Sequence, residues 1–148
     1  MDTKLLVSPP VLFATARVVG ALWIGGLWAL GYAVAPWLFA RLPQMIAGAL
    51  AGPLFALWEG LGLVFGAIVF IAVRRKGRIV WIRVAALTWA LDAVFELIIL
   101  PLMVYVRGGS HFGPSSPEWS IFLGLHAVSA AVYLVEGILG LALIAVAL

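Results

Sequence analysis

The chain has no cysteine and little charge: of its 148 residues, 10% are charged, six acidic and nine basic. Without cysteine there are no disulfides, no thiolate metal sites and no thiol nucleophiles. The scarcity of charge excludes a water-soluble globule, because soluble domains carry about 25% charged residues. Disorder is excluded as well, since 66% of the residues are hydrophobic and disordered segments are poor in them. The matching solvent is lipid, and spans of about 20 residues each leave no room for a sizeable extramembrane domain.

Long apolar runs occupy residues 11–39, 49–73, 79–104 and 118–147. They are too long for barrel strands and lack their alternation, so the expected fold is all-α: an integral membrane four-helix bundle forming a single domain. The breaks between runs carry Arg41-Leu-Pro43, then Arg74-Arg75-Lys76-Gly77-Arg78, then a Gly- and Pro-rich stretch from Arg107 to Pro117. Ala33-Val-Ala35 resembles a leader cleavage site, but the first run is about twice the length of a signal-peptide apolar core and is expected to be retained.

Four crossings put both termini on the side of the middle loop. That side holds Lys4, Arg17, Arg74, Arg75, Lys76, Arg78 and Arg83, and the other only Arg41 and Arg107. The positive-inside rule then places both termini in the cytoplasm, in a cell inner or plasma membrane. The basic run at 74–78 reads as a topology anchor near anionic lipid, and nucleic acid is not an expected partner.

Small residues supply packing faces. Ala21, Gly25, Ala29 and Ala33 form a ladder on the first helix, and Gly62 and Gly66 share a face with Glu59 on the second. In the fourth helix His126, Ser129, Tyr133 and Glu136 recur at helical spacing as one polar stripe, which must face the bundle or a water-filled cavity. Asp92 and Glu96, four apart, make a comparable pair on the third helix.

Four of the six acidic residues, Glu59, Asp92, Glu96 and Glu136, thus fall within spans. Each costs roughly 2.5–3.5 kcal/mol at mid-membrane if ionised and unpaired, so together they need protons, cations or partners. Counted from the outer ends at about 1.5 Å per residue, Glu59, Asp92, Glu96 and His126 lie about 12–18 Å deep, with Glu136 deeper. The expectation is one polar site, open to the outer face, able to hold a proton, a metal ion or a small solute, with Ser129 and Tyr133 on its wall. The alternative is that these groups are hydrogen-bonded glue between helices. Arg17 and Glu136, both in the cytoplasmic half, are expected to form a structural pair.

Pro53 is expected near a helix start, and Pro36 and Pro101 where helices bend or end. Trp37, Trp81 and Trp119 read as interfacial anchors, with Trp28, Trp58 and Trp89 deeper. His111 and Glu118 are placed to line an entrance from the third loop.

Gly20-Ala-Leu-Trp23-Ile-Gly-Gly26, Ala35-Pro36-Trp-Leu-Phe39, Ala47-Gly48-Ala-Leu-Ala-Gly-Pro-Leu-Phe55 and Phe122-Leu-Gly-Leu-His126-Ala-Val-Ser129 together resemble the transmembrane-protein-205-like family. The resemblance implies a four-helix membrane protein whose shared domain has no settled biochemical activity, with His126 and Ser129 carried over from the family pattern. The chain departs from that pattern at Ala56-Leu-Trp-Glu59 and at Tyr133.

Two functions follow as expectations. One is a small transporter or channel-like protein, working as a homo-oligomer because four helices enclose little space. The other is a non-catalytic subunit of a larger membrane complex. A haem or pigment held through His126 is a third reading, but the only other histidine, His111, sits in a loop. No resident cofactor and no hydrolytic activity are expected, because no Ser, His and acid stand at a suitable spacing.

Overall fold

The computed structural model describes residues 9–108, 112–113 and 115–148. Lys4 and His111 lie outside the described residues. Four helices are long and apolar enough to cross a membrane: α1 (Pro10–Arg41), α2 (Gln44–Arg75), α3 (Ile79–Arg107) and α4 (Pro117–Ala147). The chain is all-α among the described residues, and α1 to α4 pack as an up-and-down bundle in which α4 closes against α1.

Local chemistry sets each helix end. Leu42 is extended ahead of Pro43, as sterics demand of a residue before proline, and α1 stops there. At the end of α2 the Lys76 and Gly77 amides donate back to Val73 and Arg74, and Gly77 takes φ +72°, a left-handed conformation that suits glycine. Ser116 caps α4 by accepting from the Trp119 amide at 3.2 Å, with Pro117 in the first turn.

The prolines behave differently from expectation at one position. Pro53 lies inside α2, which begins nine residues earlier at Gln44. Pro36 and Pro101 each follow a π-helical turn, Leu30–Val34 and Phe95–Ile99. In both cases the residue before the proline donates five residues back, Ala35 to Leu30 and Leu100 to Phe95. The wider turn absorbs the amide that proline lacks, so α1 and α3 continue instead of ending.

The buried positions alternate by three and four along each helix. Among them are Ala16, Gly20, Trp23 and Leu27 on α1; Glu59, Gly62, Gly66, Val69 and Val73 on α2; Ala85, Thr88, Asp92, Phe95 and Ile99 on α3; and Ser129, Tyr133, Glu136, Gly140 and Leu143 on α4. This is the coiled-coil seam, in which side chains of one helix enter gaps on the next. Large apolar residues such as Leu22, Leu57, Leu97 and Ile138 face outward, as a lipid-facing surface requires. The ladder Ala21, Gly25, Ala29 and Ala33 also lies on that outer surface, because the inward face of α1 carries Trp23, Ile24 and Leu27 instead.

Basic side chains bind the bundle together at one end. Lys76 Nζ donates to the Ala147 and Leu148 carbonyl oxygens at 2.8 and 3.0 Å, and Arg17 Nε to the Leu148 oxygen at 2.6 Å. Cations at a helix C-terminus satisfy carbonyls that have no partner within the helix.

Gly66 tests the seam. A Cβ there would meet Trp89 Cδ1 at 2.6 Å and Trp23 Cη2 at 3.0 Å, whereas one on Gly25 would meet nothing within 4 Å. Gly66→Leu is expected to lower stability in detergent by about 1–3 kcal/mol, and Gly25→Leu to leave it near wild type. Thermal unfolding followed by circular dichroism distinguishes them, and equal melting temperatures would refute the seam.

Candidate functional site

The centre of the bundle holds acids where a helical membrane protein ordinarily places aliphatic side chains. Glu59 of α2, Asp92 of α3 and Glu136 of α4 are fully buried, and each offers a carboxylate oxygen within 4.8 Å of the others. Each occupies a seam position, so regular helix packing suffices to aim all three at one point. The Glu59 and Asp92 carboxyl groups are close enough to share a proton. None of the six oxygens accepts a hydrogen bond from a backbone amide or from any other donor among the described residues.

The first helix contributes donors. The Trp23 and Trp28 indole N–H groups are buried and have no acceptor. A Cβ on Gly62 would stand 2.5 Å from Asp92 Oδ1 and 2.7 Å from Trp23 Nε1, so both atoms border the space that glycine leaves free. Trp28 Nε1 lies 2.9 Å from where a Cβ of Gly137 would be, on a neighbouring face of α4. With Trp23 from α1, all four helices supply polar atoms to the centre of the bundle.

The other tryptophans at this depth are engaged elsewhere. Trp58 Nε1 donates to the Trp23 carbonyl and Trp89 Nε1 to the Leu63 carbonyl, each at 2.9 Å, tying α2 to α1 and α3 to α2. Tyr133 is buried one turn from Glu136, and its hydroxyl donates to the Leu27 carbonyl. Ser129 is buried but donates to its own helix at the His126 carbonyl, 2.8 Å away. Thr88 likewise bonds back to Val84.

Glu96 stands beside the triad rather than in it. It lies one turn along α3 from Asp92, within the π turn, half-buried, with Oε1 3.7 Å from where a Cβ of Gly60 would be. Its Oε2 is buried without a partner. Glu96 thus borders Glu59 on the side of the bundle that carries Pro101.

Two sequence expectations are corrected. His126 does not join the acids: it faces outward with its ring stacked on Phe122 at 6.2 Å between centroids. Glu136 takes the place assigned to it. The reason is register. The helices are pinned together at the basic end by Lys76 and Arg17, so depth is properly counted from there. At about 1.5 Å per residue, Glu59, Asp92, Glu136 and Trp23 lie about 24, 20, 17 and 20 Å from that end, and His126 about 32 Å. Nor do Arg17 and Glu136 meet, because the guanidinium caps the end of α4 at Leu148. Glu118 lines a separate cavity of about 500 Å³ with Val104, Tyr105 and Ile121.

Chemically, this is an acceptor-rich cluster with no positive side chain hydrogen-bonded to it among the described residues and an indole donor at its edge. Ionised carboxylates in such a setting are costly unless a proton or a cation neutralises them. Buried acids without a partner also destabilise the fold that carries them. Replacing one by its isosteric amide, Glu59→Gln or Glu136→Gln, is expected to stabilise the purified, cation-free protein by on the order of 0.5–2 kcal/mol. The comparison is made by thermal unfolding in detergent with chelator at mildly alkaline pH. Melting at or below the wild-type temperature in both variants would refute the unpaired state of the acids.

A family described as a domain of unknown function (DUF4149) matches residues 18–111. The matched segment includes Trp23, Trp28, Glu59, Asp92 and Glu96, whereas Glu136 lies beyond it. No curated protein and no solved structure matches the chain. The match covers more than half of the sequence, and the chain belongs to this DUF4149 family of unknown function.

Proposed function

We propose that the protein binds a cation, a proton or a metal ion, at the Glu59–Asp92–Glu136 cluster and passes it across the membrane. The observation that supports this reading is the convergence of three buried carboxyl groups from three helices on one point, with no basic side chain hydrogen-bonded to them among the described residues. Polar contacts that serve only as glue match each acceptor with a donor. Even with a proton shared between Glu59 and Asp92, the three acids carry more acceptors than the indole beside them can satisfy, so the cluster suits a ligand better than a joint.

Glu96 provides the approach. It is half-buried, one turn from Asp92, and adjacent to Gly60, so an ion arriving from the Pro101 side meets this carboxylate before the enclosed triad. His126, Ser129 and Tyr133 fall outside the path: the first faces outward, and the other two donate to backbone carbonyls. The outward ladder Ala21, Gly25, Ala29 and Ala33 supports association with a second copy, through the close backbone approach that small residues allow.

The orientation belongs to the same proposal. Arg17, Arg74, Arg75, Lys76, Arg78 and Arg83 mark the cytoplasmic end of the bundle, and Arg41 and Arg107 the outer end. The proposal extends to kinship with the transmembrane-protein-205-like family, supported by the motifs at 20–26, 35–39 and 47–55, which lie inside the family match.

Two experiments test this reading. In proteoliposomes, a pH-sensitive dye and a metal-quenched dye report flux down an imposed gradient. Wild type is expected to carry one of the two, and Glu59→Gln and Glu96→Gln to abolish it. Unchanged flux in both variants would rule the site out. For orientation, the cysteine-free chain accepts a single reporter. Ser115→Cys is expected to react with an impermeant maleimide on intact cells, and Arg78→Cys only after permeabilisation. The opposite pattern would reverse the topology.

A further inference from the structure

We infer that the triad takes a hard divalent cation, held by Glu59, Asp92 and Glu136 with the Trp23 indole as an outer donor. The inference rests on the cation reading above and names its ligand.

The donor set fixes the class of ion. Glu59, Asp92 and Glu136 offer carboxylate oxygens within 4.8 Å of one another, and the one histidine on a described segment, His126, faces away. All-oxygen sites suit magnesium, calcium and manganese, whereas zinc and copper are drawn to imidazole and thiolate. Three carboxylates also exceed what a monovalent ion ordinarily gathers.

The Trp23 indole is the second observation. An indole N–H is a donor only. Trp23 is 2% exposed, its Nε1 has no acceptor, and it borders the same space at Gly62 as Asp92 Oδ1. A carboxylate bound to a metal through one oxygen keeps lone pairs free on the other, and a metal-bound water keeps one as well. Either would accept from Trp23, as outer-shell partners orient the ligands of metal sites.

Charge points the same way. The polar and ionisable side chains at the cluster are Glu59 from α2, Asp92 and, one turn away, Glu96 from α3, Glu136 from α4 and the Trp23 indole from α1. Arg17 and Lys76 are bonded to the carbonyls at Ala147 and Leu148 instead. A divalent ion supplies the positive charge that three carboxylates gathered in a low-dielectric centre require.

The test uses the full chain in lipid nanodiscs with Mn²⁺ as the probe. Free Mn²⁺ is read by electron paramagnetic resonance. One Mn²⁺ per chain is expected, displaced by Mg²⁺ or Ca²⁺ but not by Na⁺. Glu59→Gln, Asp92→Asn and Glu136→Gln are each expected to weaken binding by a factor of about ten or more, Trp23→Phe by about 10–100-fold, and Glu118→Gln not at all. Size-exclusion elution and melting temperature confirm that each variant is folded. Absence of divalent binding, with Glu59-dependent flux of protons or Na⁺ retained, overturns this inference and leaves the cation reading standing. Mn²⁺ binding unaltered by all three acid variants overturns the site. Loss of both binding and flux in wild type overturns the parent reading as well.

Discussion

Three carboxyl groups stand at the centre of an apolar bundle with no basic side chain hydrogen-bonded to them among the described residues, and the surrounding structure is arranged around that constraint. Lipid offers no water to solvate a charge, so an acid in a span must be neutralised by a proton or a cation. The bundle brings three acids to one point through the three-and-four spacing of its seams. An indole, that of Trp23, borders the acids, while Arg17 and Lys76 are held at one end on the carbonyls at Ala147 and Leu148.

The same constraint explains the use of glycine and tryptophan. Helices in lipid gain little from burying apolar surface and hold together through close packing. Gly62 admits the Asp92 carboxyl and the Trp23 ring together, and Gly66 admits the rings of Trp23 and Trp89. The indoles of Trp58 and Trp89 and the hydroxyl of Tyr133 each bond to a neighbouring helix's carbonyl. The result is a rigid frame around an electrostatically unsatisfied core, which keeps the acids from collapsing onto backbone partners.

Much of this was legible before any coordinates. The four helices, the all-α class, the inward face of Gly62, Gly66 and Glu59, and the burial of Asp92 all follow from composition and spacing. What was not legible was axial register between helices. Apolar runs have soft ends, and Pro53 looked like a start when it lies inside α2, so depths counted from the outer ends drew His126 in and left Glu136 out. The place of Trp23 beside the acids was not legible, because one tryptophan in a span looks like any other, and Trp28 stood out only as one of the deeper ones. The signal was positional: Trp23 lies on the same seam as Ala16, Gly20 and Leu27.

The π turns in α1 and α3 carry a consequence for the outer part of the molecule. A turn that holds one residue more than an α-helical turn rotates everything beyond it by about 100° around the helix axis. The stripe that faces lipid therefore does not run straight along either helix: it shifts at Leu30–Val34 and again at Phe95–Ile99. The inner segments, which build the cluster, and the outer segments beyond Pro36 and Pro101 are thus phased separately. Deleting one residue within either π turn would restore a plain α-helix and leave the segments on both sides in place, whereas deleting one elsewhere in the same helix would swing everything beyond it by about 100°. Single-residue deletions should therefore be tolerated within these two turns and not beside them.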